Sequence, residues 1–322
     1  MSALVLALYL FVFPGFLFLL GFAWFAEWWD RKLLARLQHR VGPPFLQPFA
    51  DFVKLLSKEN VVTEGVSARL QAALPLVAFA AVATAFLYVP LLGASPFGAP
   101  GDLVLVLYLL TLPTILLFVL GWTSRNVFAR IGAVRAASQL FVYEVPFFLA
   151  CLGPALAAET WAVADVVNAQ ASGLWTFLLQ PLGFAVAIVA LQAKLERTPF
   201  DIPEAETELV AGPLTEITGR KLAIWNLARD IALVTGAALL VALYLGGPTV
   251  PGVALEGLAG AAIGFGAFFV KTLLVLAVLA AIRAAVGRIR IDQLVTWGWA
   301  VLTPLALAQI AIAIVLRGVG WP

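Results

Sequence analysis

Eight runs of about 20 apolar residues constrain this chain more than any other feature. Roughly that length of helix is needed to cross a hydrocarbon core, where every backbone polar group must be satisfied internally. The runs lie near residues 3–26, 73–93, 102–122, 136–157, 174–193, 221–245, 260–284 and 294–316. The first is too long and too aromatic for a cleaved signal peptide and has no small-residue cleavage site. Composition agrees: 63% of residues are hydrophobic and 12% charged, with a mean hydropathy of +1.02. A soluble domain keeps roughly a quarter of its residues charged. The expectation is an all-α integral membrane protein of eight transmembrane helices, one membrane domain over residues 1–322. The longest loops, 27–72 and 194–220, are too short for a soluble domain. No fixed-period repeat gives the inverted-repeat signature of a secondary transporter.

Basic residues fall on one side of this pattern. Loops after odd-numbered runs hold Arg31, Lys32, Arg36, Arg40, Lys54, Lys58 and Arg69, then Arg125, Arg130 and Arg135. They continue with Lys194, Arg197, Arg220 and Lys221, and finally Arg283, Arg288 and Arg290. Loops after even-numbered runs carry only the acids Asp102, Glu159, Asp165 and Glu256, and Arg317 lies at the far C-terminal edge. By the positive-inside rule the odd loops are cytoplasmic and both termini lie on the outer side.

One cysteine, Cys151, and one histidine, His39, are too few to build an iron–sulfur, haem or zinc site, so no metal is expected on this chain. Electrons that the protein serves must arrive on another subunit.

Within the first loop, Phe45, Phe49, Phe52, Val53 and Leu56 make an apolar stripe, and Asp51, Lys54 and Lys58 gather opposite. A short amphipathic helix in the membrane interface is expected, with Pro48 in its first turn. It is either a cap on the bundle or the wall of an entrance at headgroup depth. Glu144 sits inside the fourth run, where an ionised carboxylate needs a cation or water. The fifth loop concentrates Glu196, Asp201, Glu204, Glu206, Glu208 and Glu216, a spacing that suits coupled titration and proton relay. On a helix starting at Pro203, Glu204 and Glu208 would share a face. Arg229, Asp230 and Lys271 fall inside later runs. With Glu144 and the acidic loop they suggest a line of ionisable groups at membrane depth.

Several blocks resemble a known family. They are Asp30-Arg31-Lys32 with Gln38-His39-Arg40-Val41-Gly42-Pro43, the stretch Gln47 to Glu59, Gly132 to Pro146, Pro199 to Gly212, and Arg288 to Leu294. In order and position they are similar to one membrane component of proton-pumping NADH–quinone oxidoreductase, called the H subunit in bacteria and subunit 1 in mitochondria. Lys271 and Arg283 also fall on family positions. The resemblance implies a membrane-side wall of a quinone chamber near Arg36, Arg40, Asp51 and Lys54. It implies a proton route through Asp201, Glu204, Glu206, Glu208 and Glu216.

Departures accompany the match. Lys194-Leu195-Glu196-Arg197-Thr198-Pro199 stands where quinone-reducing members read Glu-Thr-x-Arg-x-Pro, and Ala228-Arg229 stands for their Ala-Glu. The usual Tyr-His is missing from Gly212 to Ile217, and Asp30 replaces the usual Glu. The variant block resembles that of membrane-bound energy-converting hydrogenases. Local Lys194–Glu196 and Arg229–Asp230 pairing, with help from the acidic loop, is expected to keep the region nearly neutral.

Three readings stay open: a coupling subunit of a complex I-type assembly, hydrogenase-like or quinone-reducing; a stand-alone cation transporter; and a passive anchor. The first implies a docking face made by Arg31, Lys32, Arg125, Arg130, Arg135, Lys194, Arg197, Arg288 and Arg290. Its implied partners are a peripheral iron–sulfur subunit, a hydrogenase-like or quinone-site subunit, antiporter-like and small membrane subunits, and the lipid bilayer. A quinone is a candidate ligand, the iron–sulfur cluster would sit on a partner, and no nucleic acid is expected.

Overall fold

The computed structural model describes residues 3–63, 65–93, 95–171, 174–251 and 257–318, less the side chains of residues 3–5, Glu206 and 316–318. Within those ranges every regular element is helical. In chain order they are α1 (Ala3–Phe11), α2 (Phe16–Leu37), α3 (Gln47–Ser57), α4 (Ala68–Leu87), α5 (Asp102–Trp122), α6 (Val127–Ala158) and α7 (Val163–Ala171). There follow α8 (Thr176–Leu179), α9 (Pro181–Lys194), α10 (Glu206–Leu209), α11 (Gly219–Tyr244), α12 (Gly257–Ala285), α13 (Ile291–Trp297) and α14 (Thr303–Gly318). A single 3₁₀ turn, Gly212–Glu216, precedes α11, and a π-helical turn, Gly298–Leu302, joins α13 to α14.

Among the described residues, seven helices are long and apolar enough to cross a membrane. The expected eighth span is broken. Pro181, which has no N–H to donate, starts a fresh helix after α8, and α9 is left with 14 residues. At 1.5 Å per residue that is about 21 Å, short of a ~30 Å core. The first span is interrupted at Pro14 and then runs on to Leu37, well past its expected end. Helix α6 starts ahead of the apolar run because Asn126 caps it, its Oδ1 accepting from Phe128 N–H at 2.9 Å.

Helix α11 is the axis of the bundle. Every residue from Ile231 to Tyr244 is buried, so this half is apolar on all sides and needs neighbours all round. Helices α2, α4 and α12 pack against it, with α3 beside its first half and α7 beside its second. The outer helices turn large apolar side chains outward, including Leu76, Tyr108, Phe141, Val270, Leu274 and Ile312. An apolar belt of this extent fits contact with lipid rather than water.

Helix α3 forms where the amphipathic stripe was expected. Phe52 and Phe49 pack on Trp24 of α2 with ring centroids 5.6 and 5.0 Å apart, while Phe45, Phe49, Val53 and Leu56 remain exposed.

The acidic loop folds back onto the bundle. Gln139 of α6 is buried, and its Nε2 donates to the carbonyls of Ala193 (2.7 Å) and Phe200 (2.9 Å). Gln192 Nε2 donates to Thr198 O at 2.6 Å. A Cβ at Gly132 would come within 2.7 Å of Pro203 O, so glycine is what lets the loop lie against α6.

Candidate functional site

The loop after α9 meets the C-terminal ends of α2 and α12 and the first half of α11 around a cavity of about 380 Å³. Its walls carry the acids Glu27, Glu196, Asp201, Glu204 and Asp230 and the cations Arg31, Arg197, Arg229 and Arg283. Thr198 and Asn226 complete the lining, so no apolar side chain faces it.

Arg197 is the clamp of this site. Its Nη2 donates to Glu27 Oε2 and its Nη1 to Asp30 Oδ2, both at 2.7 Å. Arg283 of α12 reaches the same Asp30 oxygen, so one carboxylate ties α2, α12 and the loop together. Arg31 closes the network by donating through Nε to Glu27 Oε1 at 2.6 Å and through Nη1 to Asp51 Oδ2 of α3 at 3.1 Å. Gln47 Nε2 supports Asp51 at 2.9 Å. Burial alone would lower the Arg197 pKa, but the Asp30 and Glu27 carboxylates hold the guanidinium above its ordinary value.

A second layer lies deeper in the bundle. Lys194, at the C-terminal end of α9, donates to Glu144 Oε2 at 2.6 Å and to Thr111 Oγ1 of α5 at 3.0 Å. Thr111 Oγ1 lies 2.5 Å from the other Glu144 oxygen. The Lys194 side chain is 3% exposed and its ammonium also sits 5.4 and 5.3 Å from the rings of Tyr143 and Phe147. A smaller cavity of about 30 Å³, lined by Thr114, Lys194, Glu196 and Arg229 among apolar residues, separates this pair from the large cavity.

The expected pairings need correction. Lys194 pairs with Glu144 and not with Glu196, and Arg229 with Glu204 (2.6 Å) and not with Asp230. Arg229 and Asp230 are adjacent on a helix, diverge by about 100° and cannot face each other, whereas the folded-back loop brings Glu204 to α11. Glu196 lies past the end of α9 in a left-handed backbone state, while Lys194 reaches across the bundle to Glu144. Lys194 and Arg197 turn inward, away from the docking face assigned to them. Glu204 and Glu208 share no face, because α10 starts only at Glu206; Glu208 pairs with the Arg135 guanidinium at 2.6 Å. Arg288 grips Asp201 with both Nε (2.8 Å) and Nη2, and its Nη1 donates to Thr207 at 3.0 Å.

Lys271 does not join the expected line. Its Nζ donates to the carbonyls of Leu245 (2.7 Å), Gly247 (2.9 Å) and Thr249 (2.7 Å), just past the C-terminal end of α11, and sits 4.3 Å above the Trp175 ring. Glu216 is buried in the 3₁₀ turn, its backbone carbonyl accepting from Gln71 Nε2 at 3.2 Å, and it does not line the cavity. The Glu206 side chain and Glu256 lie outside the described residues. Arg36, Arg40 and Lys54 are exposed beyond the cavity, as are Arg125, Arg130 and Arg290.

Glu27, Thr111 and Glu196 carry more of this site than sequence reasoning assigned to them. The spacing of Glu27 and Arg31, four apart on a helix face, was the one available signal for Glu27. Thr111 offered none, since a threonine in an apolar run usually back-bonds to its own helix, as this one also does to Leu107 O.

Every side chain that lines the large cavity is polar or charged. Small-molecule sites are typically ~300–1,000 Å³ and mostly apolar. The pocket beside it, where Trp24, Pro48, Phe52 and Leu55 face Arg31, Asp51 and Asp230, holds about 40 Å³.

The family described as NADH dehydrogenase matches residues 9–314. The second H-type subunit of the NADH-quinone oxidoreductase of Cereibacter sphaeroides is 38% identical, over 97% of this chain and 97% of that protein. The corresponding H-type protein from Geobacillus thermodenitrificans is 35% identical over 94% of this chain and 91% of its own length. Among solved structures, a chain of the membrane-bound sulfane sulfur reductase, an archaeal respiratory membrane complex, superposes with a TM-score of 0.81 at 30% identity, covering 97% and 98% of the two chains. With matches this long in both sequence and fold, the chain belongs to the NADH dehydrogenase family of membrane subunits, alongside the H-type proteins of NADH-quinone oxidoreductase.

Proposed function

We propose that this chain is the coupling subunit of a complex I-type oxidoreductase, carrying the peripheral redox arm and linking its electron transfer to proton or sodium translocation. The observation that carries the reading is the continuity of ionisable groups from the 380 Å³ cavity to the buried Lys194–Glu144 pair. Charged side chains at this depth are costly and persist where they serve ion movement. In this reading α8 and α9 together make an eighth, shortened crossing, both termini lie outside, and α3 rests at the headgroup level with its open apolar side in lipid. The basic loops Arg31, Lys32, Arg125, Arg130, Arg135, Arg288 and Arg290 receive a partner that holds the iron–sulfur cluster, and antiporter-like and small membrane subunits flank the bundle.

The polar lining of the cavity favours a hydrogenase-like arm, or a modified quinone chamber, over an ordinary quinone-reducing one. Purifying the native complex and identifying its co-migrating subunits distinguishes these outcomes. A nickel-bearing partner and turnover insensitive to quinone analogues support the hydrogenase-like form. A flavin/NADH module with tight competitive inhibition by a quinone analogue overturns it in favour of the quinone-reducing form. Isolation of the chain with no partner at all contradicts the coupling role itself.

A further inference from the structure

Glu196 is the one acid that lines both the large charged cavity and the small one leading to Lys194. Its carboxyl is buried, and Oε1 has no hydrogen-bond partner among the described residues. The residue also holds a left-handed backbone conformation (φ 52°) where α9 ends, its N–H donating to Ala193 O at 3.1 Å. Helix ends of this kind favour glycine or asparagine, and local preference does not call for a buried glutamate there. A buried acid in an unfavourable backbone state with an unsatisfied oxygen is an arrangement that function, rather than folding, explains.

The groups around Glu196 come from every neighbouring element. They are the Thr114 hydroxyl of α5, Tyr143 of α6, Lys194 of α9, Arg229 of α11, and Glu204 in its own loop. Tyr143 donates to Thr114 Oγ1 at 2.9 Å, which fixes the hydroxyl facing Glu196. Arg229 is also engaged by Glu204 at 2.6 Å, so its pull on the Glu196 carboxylate is shared with a second acid. The 30 Å³ cavity between Glu196 and Lys194 has room for a water molecule and polar groups to hold one.

We propose that Glu196 is the proton carrier between the charged cavity and the buried Lys194–Glu144 pair. This rests on the coupling role proposed above. Lys194 gives one of its protons to the Glu144 carboxylate across their 2.6 Å hydrogen bond and takes the replacement from Glu196 through the small cavity. One O–H bond breaks at Glu196 and one forms at Glu144. The three side chains hold zero net charge before and after the step, so the low-dielectric interior never receives an uncompensated charge. Burial pushes the Glu196 carboxyl up to about 7, against the pull of Arg229, which keeps both protonation states within reach near neutral pH.

The test is Glu196→Gln in the intact complex, reconstituted in vesicles, with ions moved per electron read at steady turnover. A fall of at least tenfold is expected, with partial recovery in Glu196→Asp. Infrared difference spectra of the wild-type complex between about pH 6 and 8 should contain a protonated-carboxyl band that is missing from the glutamine variant. A variant that couples as well as a coupling wild type, or a wild type without a titrating band, overturns the assignment to Glu196. A wild-type complex that turns over without moving ions instead overturns the coupling role.

Discussion

Lys194 Nζ lies 2.6 Å from Glu144 Oε2, fifty residues away in the chain and inside the helix bundle. Lys194 in particular needs its partner, because its side chain is 3% exposed and a lone ammonium buried that far is costly. Lys194→Met should therefore cost about 3–5 kcal/mol in stability, the usual penalty for orphaning one member of a buried pair. Lys194→Met combined with Glu144→Leu should recover most of that loss. Thermal unfolding of the four members of this double-mutant cycle measures the coupling, and additive losses would show that the two side chains do not pair.

Arg197 holds two carboxylates of α2 through separate guanidinium nitrogens. A lysine keeps the charge but presents a single nitrogen, so it cannot grip both. Arg197→Lys should destabilise the subunit by roughly 1.5–3 kcal/mol, the range for hydrogen bonds to charged groups. Protease resistance of α2 and α12 in the assembled complex reports this. Wild-type resistance in the lysine variant would mean that Arg283 alone is enough to hold Asp30.

Lys271 joins three carbonyls at the C-terminal end of α11, where the helix dipole also favours a cation. Lys271→Met should lower thermal stability, by about 1–3 kcal/mol for polar groups left unsatisfied, and leave ions moved per electron unchanged. Loss of coupling in a stably assembled Lys271→Met complex would return this residue to the ion route.

The raised Glu196 pKa has a consequence for stability. In the unfolded chain this carboxyl ionises near its ordinary value of roughly 4.3, and in the fold only near 7. Between those values the folded state binds more protons, so stability falls as pH rises through that window and then levels off. Glu196→Gln removes this contribution. Melting temperatures of variant and wild type should diverge in the variant's favour from about pH 5 to 7. Parallel curves would place the Glu196 carboxyl in water.

Much of this architecture was legible because apolar run length is a direct consequence of hydrocarbon thickness. α5 begins and ends where hydropathy alone set it, and α3 appears on the amphipathic stripe. The breaks were harder to read. Pro14 and Pro181 sit in runs whose average hydropathy hides a lost backbone donor, so two continuous spans were expected where helices restart. The candidate site was legible as an inventory of charges and not as a map of pairs. Glu144, Arg229 and Glu204 were each singled out, but their partners come from other helices and from a loop that folds back over α6, which no local spacing encodes. Lys271 shows the reverse limit: a basic residue in a span suggested ion transfer, and the carbonyls at a helix end that its Nζ contacts are invisible in side-chain identities.

The measurement that bears most directly on the coupling role is ions moved per electron in vesicles containing the Glu144→Gln complex. The amide oxygen still accepts from Lys194 and preserves shape, but it cannot take up the proton. Assembly and electron transfer within a few-fold of wild type, with the ion gradient lost, is the result expected of a proton-carrying Glu144. A gradient built at the wild-type rate by a fully assembled variant would contradict it and make Glu144 a structural partner of Lys194 alone.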